Sequence, residues 1–342
     1  MRKMNFCGDK QFALAQEEPR ALEAGEVRIR NMAAGICGTD VHIYEGGKGS
    51  AEVHPPVVLG HEYAGVVTEV GSGVSTVKVG DKVTVDPNIY CGKCRPCKMG
   101  KKQLCRHLEA VGVTRDGGFA EYSTVPEAQC FVLPENVDYE AAAMAEPLAC
   151  CLHGIERAGI TAGDSVCVIG GGTIGLLMVQ LAKMSGAAKV GLSEPIAVRQ
   201  EVGRKVGADV TFNPLEADFA QKFVEEFGEE GPDIIIECVG NLPAVKQALS
   251  LAGRGGKILL FSVPNPDSEV SVRLFDIYQK ELTIMGSFIN PDTHQRAADL
   301  IGAGRINVRD LITHRFPLEE LEQAILTQKG SESIKVLVLP QK

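Results

Sequence analysis

Cys91, Cys94, Cys97 and Cys105 stand in a Cys-x2-Cys-x2-Cys-x7-Cys run, the densest group of metal-binding side chains in the sequence. Four thiolates spaced this way suit one tetrahedral Zn²⁺ with Zn–S bonds of about 2.3 Å, and a loop with ligands every third residue can fold round the ion without a core of its own. Gly92 and Gly100 let that loop bend. The spacing fits neither common ferredoxin arrangement, and paired disulfides are the other reading the cysteines alone leave open. A closed set of four thiolates has no open position, so this metal is expected to be structural and the chemistry to lie elsewhere.

A second group is spread along the chain. Cys37 sits in Gly35-Ile36-Cys37-Gly38-Thr39-Asp40-Val41-His42, His61 and Glu62 adjoin in Gly60-His61-Glu62-Tyr63-Ala64-Gly65, and Glu146 follows in Ala145-Glu146-Pro147-Leu148. A catalytic zinc keeps about three protein ligands and an open position for water or substrate, which a thiolate, an imidazole and a carboxylate would give. Singly each is weak, because a His beside a Glu is more often a satisfied pair than a ligand. Thr39 could bring its hydroxyl to a zinc-bound alcohol or close a turn on its own backbone. His42 offers an imidazole with a pKa of about 6.5, suited to passing a proton to solvent, or is an exposed loop side chain. Asp40 orients a ligand or caps a helix.

Ser165-Val166-Cys167-Val168-Ile169 has the pattern of a short buried strand, and it runs through Gly170-Gly171-Gly172-Thr173-Ile174-Gly175 into a helical stretch reaching Met184. Strand, glycine-rich turn and helix in that order form a dinucleotide-binding fingerprint. Gly170 permits the tight turn, Gly172 lets the backbone approach a pyrophosphate, Gly175 permits close packing of helix on strand, and the helix start, with Ile174, offers N–H groups to the anion. Lys189–Leu192 reads as the next strand and leads to Glu194, placed to accept from the adenosine ribose. A carboxylate there repels the 2′-phosphate of NADP, so NAD is expected. Arg199, five residues on, could neutralise such a phosphate. Further strands are expected at Asp233–Glu237, Gly256–Phe261 and Leu282–Met285, with helices near Asp218–Phe227 and Pro243–Leu251, which makes a doubly wound parallel sheet. Ser262, Val263, Gly286 and Ser287, at strand ends, are candidate contacts of the nicotinamide.

These motifs in this order resemble the zinc-containing medium-chain dehydrogenases, specifically the branch holding polyol (sorbitol-like) and L-threonine dehydrogenases, and the resemblance runs from about Glu26 to Val338. It implies Cys37, His61 and Glu62 as ligands of a catalytic zinc, Glu146 as the residue that binds that metal or holds its water, and Thr39 and His42 as successive members of a proton relay. Arg199 would lie near the adenine, as in NAD enzymes of the family. Glutamate at 146, where alcohol dehydrogenases proper tend to carry cysteine, favours this branch, while Cys150 and Cys151 nearby leave a ligand swap open. The implied fold is α/β, a Rossmann doubly wound parallel sheet plus a β-rich GroES-like catalytic domain with a structural zinc lobe. Residues 1–147 and 289–342 would form the catalytic domain, and 148–288 the NAD-binding domain. Two Zn²⁺ per chain and NAD are the implied cofactors, and the implied reaction is hydride transfer from a secondary alcohol of a polyol. L-Threonine is the runner-up substrate, since Cys37 to Glu45 resembles that enzyme's pattern, but Gly46-Gly47 follows where threonine enzymes usually carry aromatic residues. A butanediol-type diol is a further reading. A non-catalytic cofactor-binding protein would be expected to lose metal ligands, and here all are present. The family also implies a homodimer or homotetramer, with edge strands near Leu282–Phe288 extending the sheet across a two-fold axis.

The elements that must position these residues fit in 342 residues as two domains, a β-rich one with pieces such as Glu26–Arg30, Tyr63–Val70 and Lys82–Val85, and the parallel sheet. Ile334–Leu339 reads as a strand returning to the first. Hydrophobic residues at 44% and charged residues at 23% belong to an ordinary globular protein. A net charge of −9, spread along the chain, repels nucleic acid and anionic membrane and leaves a small neutral or weakly charged partner. No apolar run reaches the length of a membrane span. Eleven cysteines, clustered on metal or scattered in the interior, are expected in a reducing, cytoplasmic setting.

Overall fold

A computed structural model describes every residue except Lys48 and Ser50. The chain divides into two compact units, Met1–Ala149 with Asn290–Lys342, and Cys150–Ile289.

In the second unit the strands Ser165–Ile169, Lys189–Ser193, Ile234–Glu237 and Lys257–Leu260 read as apolar runs with little alternation, as strands covered on both faces require. They pair in parallel, and the six-stranded order is Val210–Phe212, Lys189–Ser193, Ser165–Ile169, Ile234–Glu237, Lys257–Leu260 and Thr283–Gly286. The order reverses between Ser165–Ile169 and Ile234–Glu237, so a crevice opens at their carboxyl ends. Helix Thr173–Met184 is buried on nearly every face against this sheet. The sequence gives no warning of helix Ala197–Lys205 or strand Val210–Phe212. That helix buries only Gly203 and has no apolar stripe, and the strand is three residues long. Cys167, Phe212, Phe223, Ile235 and Ile258 lie in a core of this unit.

The first unit is built on a mixed sheet in the order Cys130–Val132, Lys82–Val85, Glu62–Val70, Glu26–Gly35, Lys335–Leu339 and Ile312–Pro317, with Tyr122–Pro126 pairing on the first half of Glu26–Gly35. Ile29, Tyr63, Phe119 and Val336 belong to its own core. The final strand runs antiparallel to Glu26–Gly35, with Gly35 opposite Leu337 on one side and Glu62 on the other. Three strands therefore end together where Cys37, His61 and Glu62 begin. No helix among the described residues is long and apolar enough to cross a membrane.

Candidate active site

Cys37 ends the crossing from strand Glu26–Gly35 into helix Gly38–Tyr44 and caps that helix, while the Asp40 carboxylate reaches back to accept from the Cys37 backbone N–H at 2.8 Å. The register that sets Gly35 opposite Glu62 delivers His61 and Glu62 to the same place, and the ligand atoms of Cys37, His61 and Glu62 all lie within 4.8 Å of one another. Glu146, in the first turn of helix Ala145–Ala158, stands outside this trio but close enough to act on His61 through its charge. Cys150 and Cys151 are outside it as well. Thr39 and His42 are both half-buried and three residues apart on that helix, hence on one face.

The electrostatics suit a cation. Burial by itself would depress the His61 pKa, but Asp40, Cys37 and then Glu146 outweigh it and hold the imidazole well above 6.5. Burial also raises the Asp40 carboxyl, against the pull of His61. His61 Nδ1 and Asp40 Oδ1 face each other at 3.7 Å, both buried and neither hydrogen-bonded, a gap slightly too long for a bond. A carboxylate behind the ring's Nδ1 leaves Nε2 for a metal, the arrangement that orients a ligating histidine. One thiolate, one imidazole and one carboxylate amid further carboxylates therefore fit Zn²⁺ in an open site.

Lys335 is the residue that sequence reasoning missed here. Its ammonium, 2% exposed, pairs with the Glu62 carboxylate, also 2% exposed, and donates to the Ile36 carbonyl at 2.9 Å. Gly35 makes room for the pair, since a Cβ there would lie 2.4 Å from Glu62 Oε2 and 2.7 Å from Lys335 Cε. The available signal was a lysine inside the apolar run Ile334-Lys335-Val336-Leu337-Val338-Leu339.

The four-cysteine lobe is also assembled. Cys94 Sγ lies 3.5 Å from Cys97 Sγ and 3.9 Å from Cys105 Sγ, near the edge of about 3.8 Å that a tetrahedron of 2.3 Å Zn–S bonds implies. A disulfide needs about 2.05 Å, and none of the eleven cysteines is in one, so the disulfide reading falls. Backbone N–H groups of Cys91, Cys94 and His107 point at the sulfurs of Cys105, Cys91 and Cys105 at 3.4 Å each. Such donors, chiefly from Cys97 and Arg106, bring Cys94 down to about 6. From Cys91 to His107 only Cys105 is buried, and Gly92 and Gly100 turn with φ of 67° and 72°. A segment with so little core needs the metal to hold its shape.

In the second unit, Gly175 begins its helix so close to the turn that a Cβ would lie 1.7 Å from the Gly170 carbonyl, whereas a Cβ on Gly172 would meet nothing within 4 Å. That open cradle at a helix start, flanked by Ile174, fits a pyrophosphate. Glu194 is buried, with Oε2 accepting from Gly171 N–H at 2.6 Å and Oε1 from Ile196 N–H at 2.8 Å. The carboxylate thus ties the end of one strand to the glycine turn beside it. Gly171, given no role in the sequence, is required there because its Cβ would stand 2.8 Å from Glu194 Cγ. Arg199 is half-buried in the first turn of helix Ala197–Lys205. Ser262 and Val263 follow strand Lys257–Leu260, and Gly286 and Ser287 end its neighbour, so the four sit at adjacent strand ends. The Gly286 carbonyl accepts from Arg157 Nε at 2.5 Å.

Residues 23–135 match the alcohol dehydrogenase GroES-like domain, and residues 173–303 match the zinc-binding dehydrogenase domain. The chain is 36% identical over 340 residues to a sorbitol dehydrogenase of Halalkalibacterium halodurans, covering 97% of each. It is also 36% identical over 322 residues to an L-threonine 3-dehydrogenase of Bacillus licheniformis, covering 93% of this chain and 92% of that one. Among solved structures it superimposes on a zinc-binding dehydrogenase of Sinorhizobium meliloti bound to NADP with a TM-score of 0.92, at 39% identity and 99% coverage of both chains.

Proposed function

Because the chain belongs to the zinc-dependent medium-chain alcohol dehydrogenases, we propose that this dehydrogenase oxidises a secondary hydroxyl of a neutral polyol with NAD. The observation that carries the choice of a neutral substrate is the charge of the site. Cys37, Asp40, Glu62 and Glu146 crowd one largely buried region against Lys335, so a divalent cation and the lysine together do no more than balance these acidic groups, and a substrate carboxylate or phosphate would find no surplus positive charge there. L-Threonine, a zwitterion whose carboxylate this balance disfavours while its ammonium would be accommodated, is the runner-up, and 2,3-butanediol remains compatible with the same argument.

A bound metal would supply Lewis-acid chemistry that lowers the pKa of the alcohol hydroxyl, and a bound nicotinamide would supply the hydride acceptor. Cys37, His61 and Glu62 would hold the metal, with His61 oriented by Asp40. Glu146, placed outside the trio, suits holding the water of the open position. Thr39 Oγ1 takes the proton leaving the alcohol, and the His42 imidazole one helical turn on carries it outward. Gly170, Gly172, Ile174 and Gly175 seat the pyrophosphate, Glu194 receives the adenosine ribose, Arg199 lies near the adenine, and Ser262, Val263, Gly286 and Ser287 border the nicotinamide. Glu194 disfavours a 2′-phosphate, so NAD is preferred even though the Sinorhizobium relative binds NADP.

Eleven cysteines without a disulfide suit a reducing cytoplasm. A second copy of the chain would cover the exposed edge strand Thr283–Gly286 and the adjoining Leu274, Phe275 and Tyr278, which are 76%, 64% and 78% exposed.

The test is NADH formation by the zinc-loaded protein on sorbitol, xylitol, arabinitols, galactitol, L-threonine and 2,3-butanediol, with NAD and NADP compared. Turnover of a polyol with threonine inert supports the proposal, and turnover of threonine alone replaces it. Cys37→Ser should abolish turnover and leave NAD binding intact.

A further inference from the structure

Among the described residues, Glu194 and Glu237 are the buried charged side chains of the nucleotide unit, and Glu237 is not one of the residues expected to touch the dinucleotide. It ends strand Ile234–Glu237 and is wholly buried, yet none of its partners is a cation. Oε1 accepts from the backbone N–H of Val239 at 2.7 Å and of Gly240 at 2.8 Å, and Oε2 accepts from the Ser262 hydroxyl. Its backbone carbonyl accepts from Phe261 and Ser262 at 3.0 and 3.3 Å.

Each bonded group belongs to a different wall of the crevice. Val239 packs onto the glycine-rich turn, where a Cβ on Gly170 would lie 2.6 Å from its Cγ2. Gly240, at φ +84°, brings its Cα so close that a Cβ would stand 3.2 Å from both Ser262 Cβ and the Val263 carbonyl. One carboxylate thus clamps the carboxyl ends of Ser165–Ile169 and Ile234–Glu237, the two strands flanking the switch point, and of Lys257–Leu260 beside them. A turn of this kind can be closed by a neutral side chain, as Asn241 closes the next one by accepting from Ala244 N–H at 2.9 Å. A buried carboxylate without a cation weakens the fold compared with such a neutral group, but bonds to a carboxylate are shorter and stiffer.

We propose that Glu237 is a positioning residue for the dinucleotide, fixing Val239, Gly240 and Ser262 as a rigid seat for its nicotinamide half. The inference rests on the NAD reading of this unit. Its test is fluorescence titration of NADH into zinc-loaded wild type, Glu237→Ala, Glu237→Gln and Ser262→Ala, each with a thermal melt. Glu237→Ala takes the acceptor from two part-buried N–H donors and should raise the NADH Kd about tenfold, with kcat/KM for NAD falling more than kcat. Glu237→Gln keeps an acceptor for both N–H groups and an amide that can meet Ser262, so it should bind within about threefold of wild type. Ser262→Ala should weaken binding about threefold. A Glu237→Ala protein that melts earlier but binds NADH like wild type would overturn the proposal, as would a Glu237→Gln protein as weak as Glu237→Ala. Should Glu237→Ala fail to fold, unchanged affinity in Ser262→Ala overturns it. Wild type that does not bind NADH would instead strike the NAD reading.

Discussion

Replacing Lys335 by methionine keeps the stem that fills the space beside Gly35 and deletes the charge that meets Glu62. Both partners are 2% exposed, so the remaining carboxylate stays out of water and faces a thioether. Breaking a buried pair in this way costs about 3–5 kcal/mol. In a unit of this size each kcal/mol moves the melting temperature by about 2–4 °C, so the metal-stripped variant should melt about 10 °C below metal-stripped wild type. In the zinc-loaded protein the drop should be less than half of that, because a divalent cation bound by Cys37, His61 and Glu62 takes up the carboxylate's charge in place of the ammonium. Scanning calorimetry of both proteins with and without chelator reads all four values. Adding Glu62→Gln to the stripped variant should recover most of the loss, since the orphaned charge is then gone. An equal drop with and without zinc, or no drop without it, would refute the idea that lysine and metal share one carboxylate.

Three further outcomes are expected. Cys94→Ser should cut bound zinc from two ions per chain to one by atomic absorption, with protease cleavage appearing between Cys91 and His107, because that segment buries only Cys105. Burial raises the Asp86 carboxyl to about 6, against bonds from Asn88 and Asn290, so the folded chain keeps that proton where the unfolded chain has lost it above about pH 4. Asp86 therefore makes the protein less stable as pH rises through about 4 to 6, and Asp86→Asn should gain on wild type by on the order of 1–2 kcal/mol between pH 5 and pH 8 in urea unfolding. Ile284→Lys, on the exposed edge strand, should reduce the mass seen by light scattering to that of one chain, and wild type already running as a single chain would remove the expected interface.

The four-cysteine lobe and the nucleotide turn were legible because their residues are local in sequence, whereas Cys37, His61 and Glu62 were joined by the family resemblance and not by spacing. Cys91 to Cys105 and Gly170 to Gly175 each form one loop whose spacing is itself the geometry, and strands such as Ile234-Ile235-Ile236 declare themselves by being apolar on both faces. Helix Ala197–Lys205 was not legible, since it leaves nearly its whole surface polar and is held by what it lies on.

The sequence by itself determined which residues can ligate metal, which turn can seat a pyrophosphate and that one strand must return from the C-terminus. Tertiary structure alone decided their partners. Lys335 meets Glu62 across 273 positions, Glu237 meets Ser262 across 25, and Gly171 receives Glu194 across 23. A ligand motif is a pattern along the chain, where bond lengths fix distances. The compensation of a buried charge depends on which strands lie side by side, and that is settled only when the sheet's register is formed.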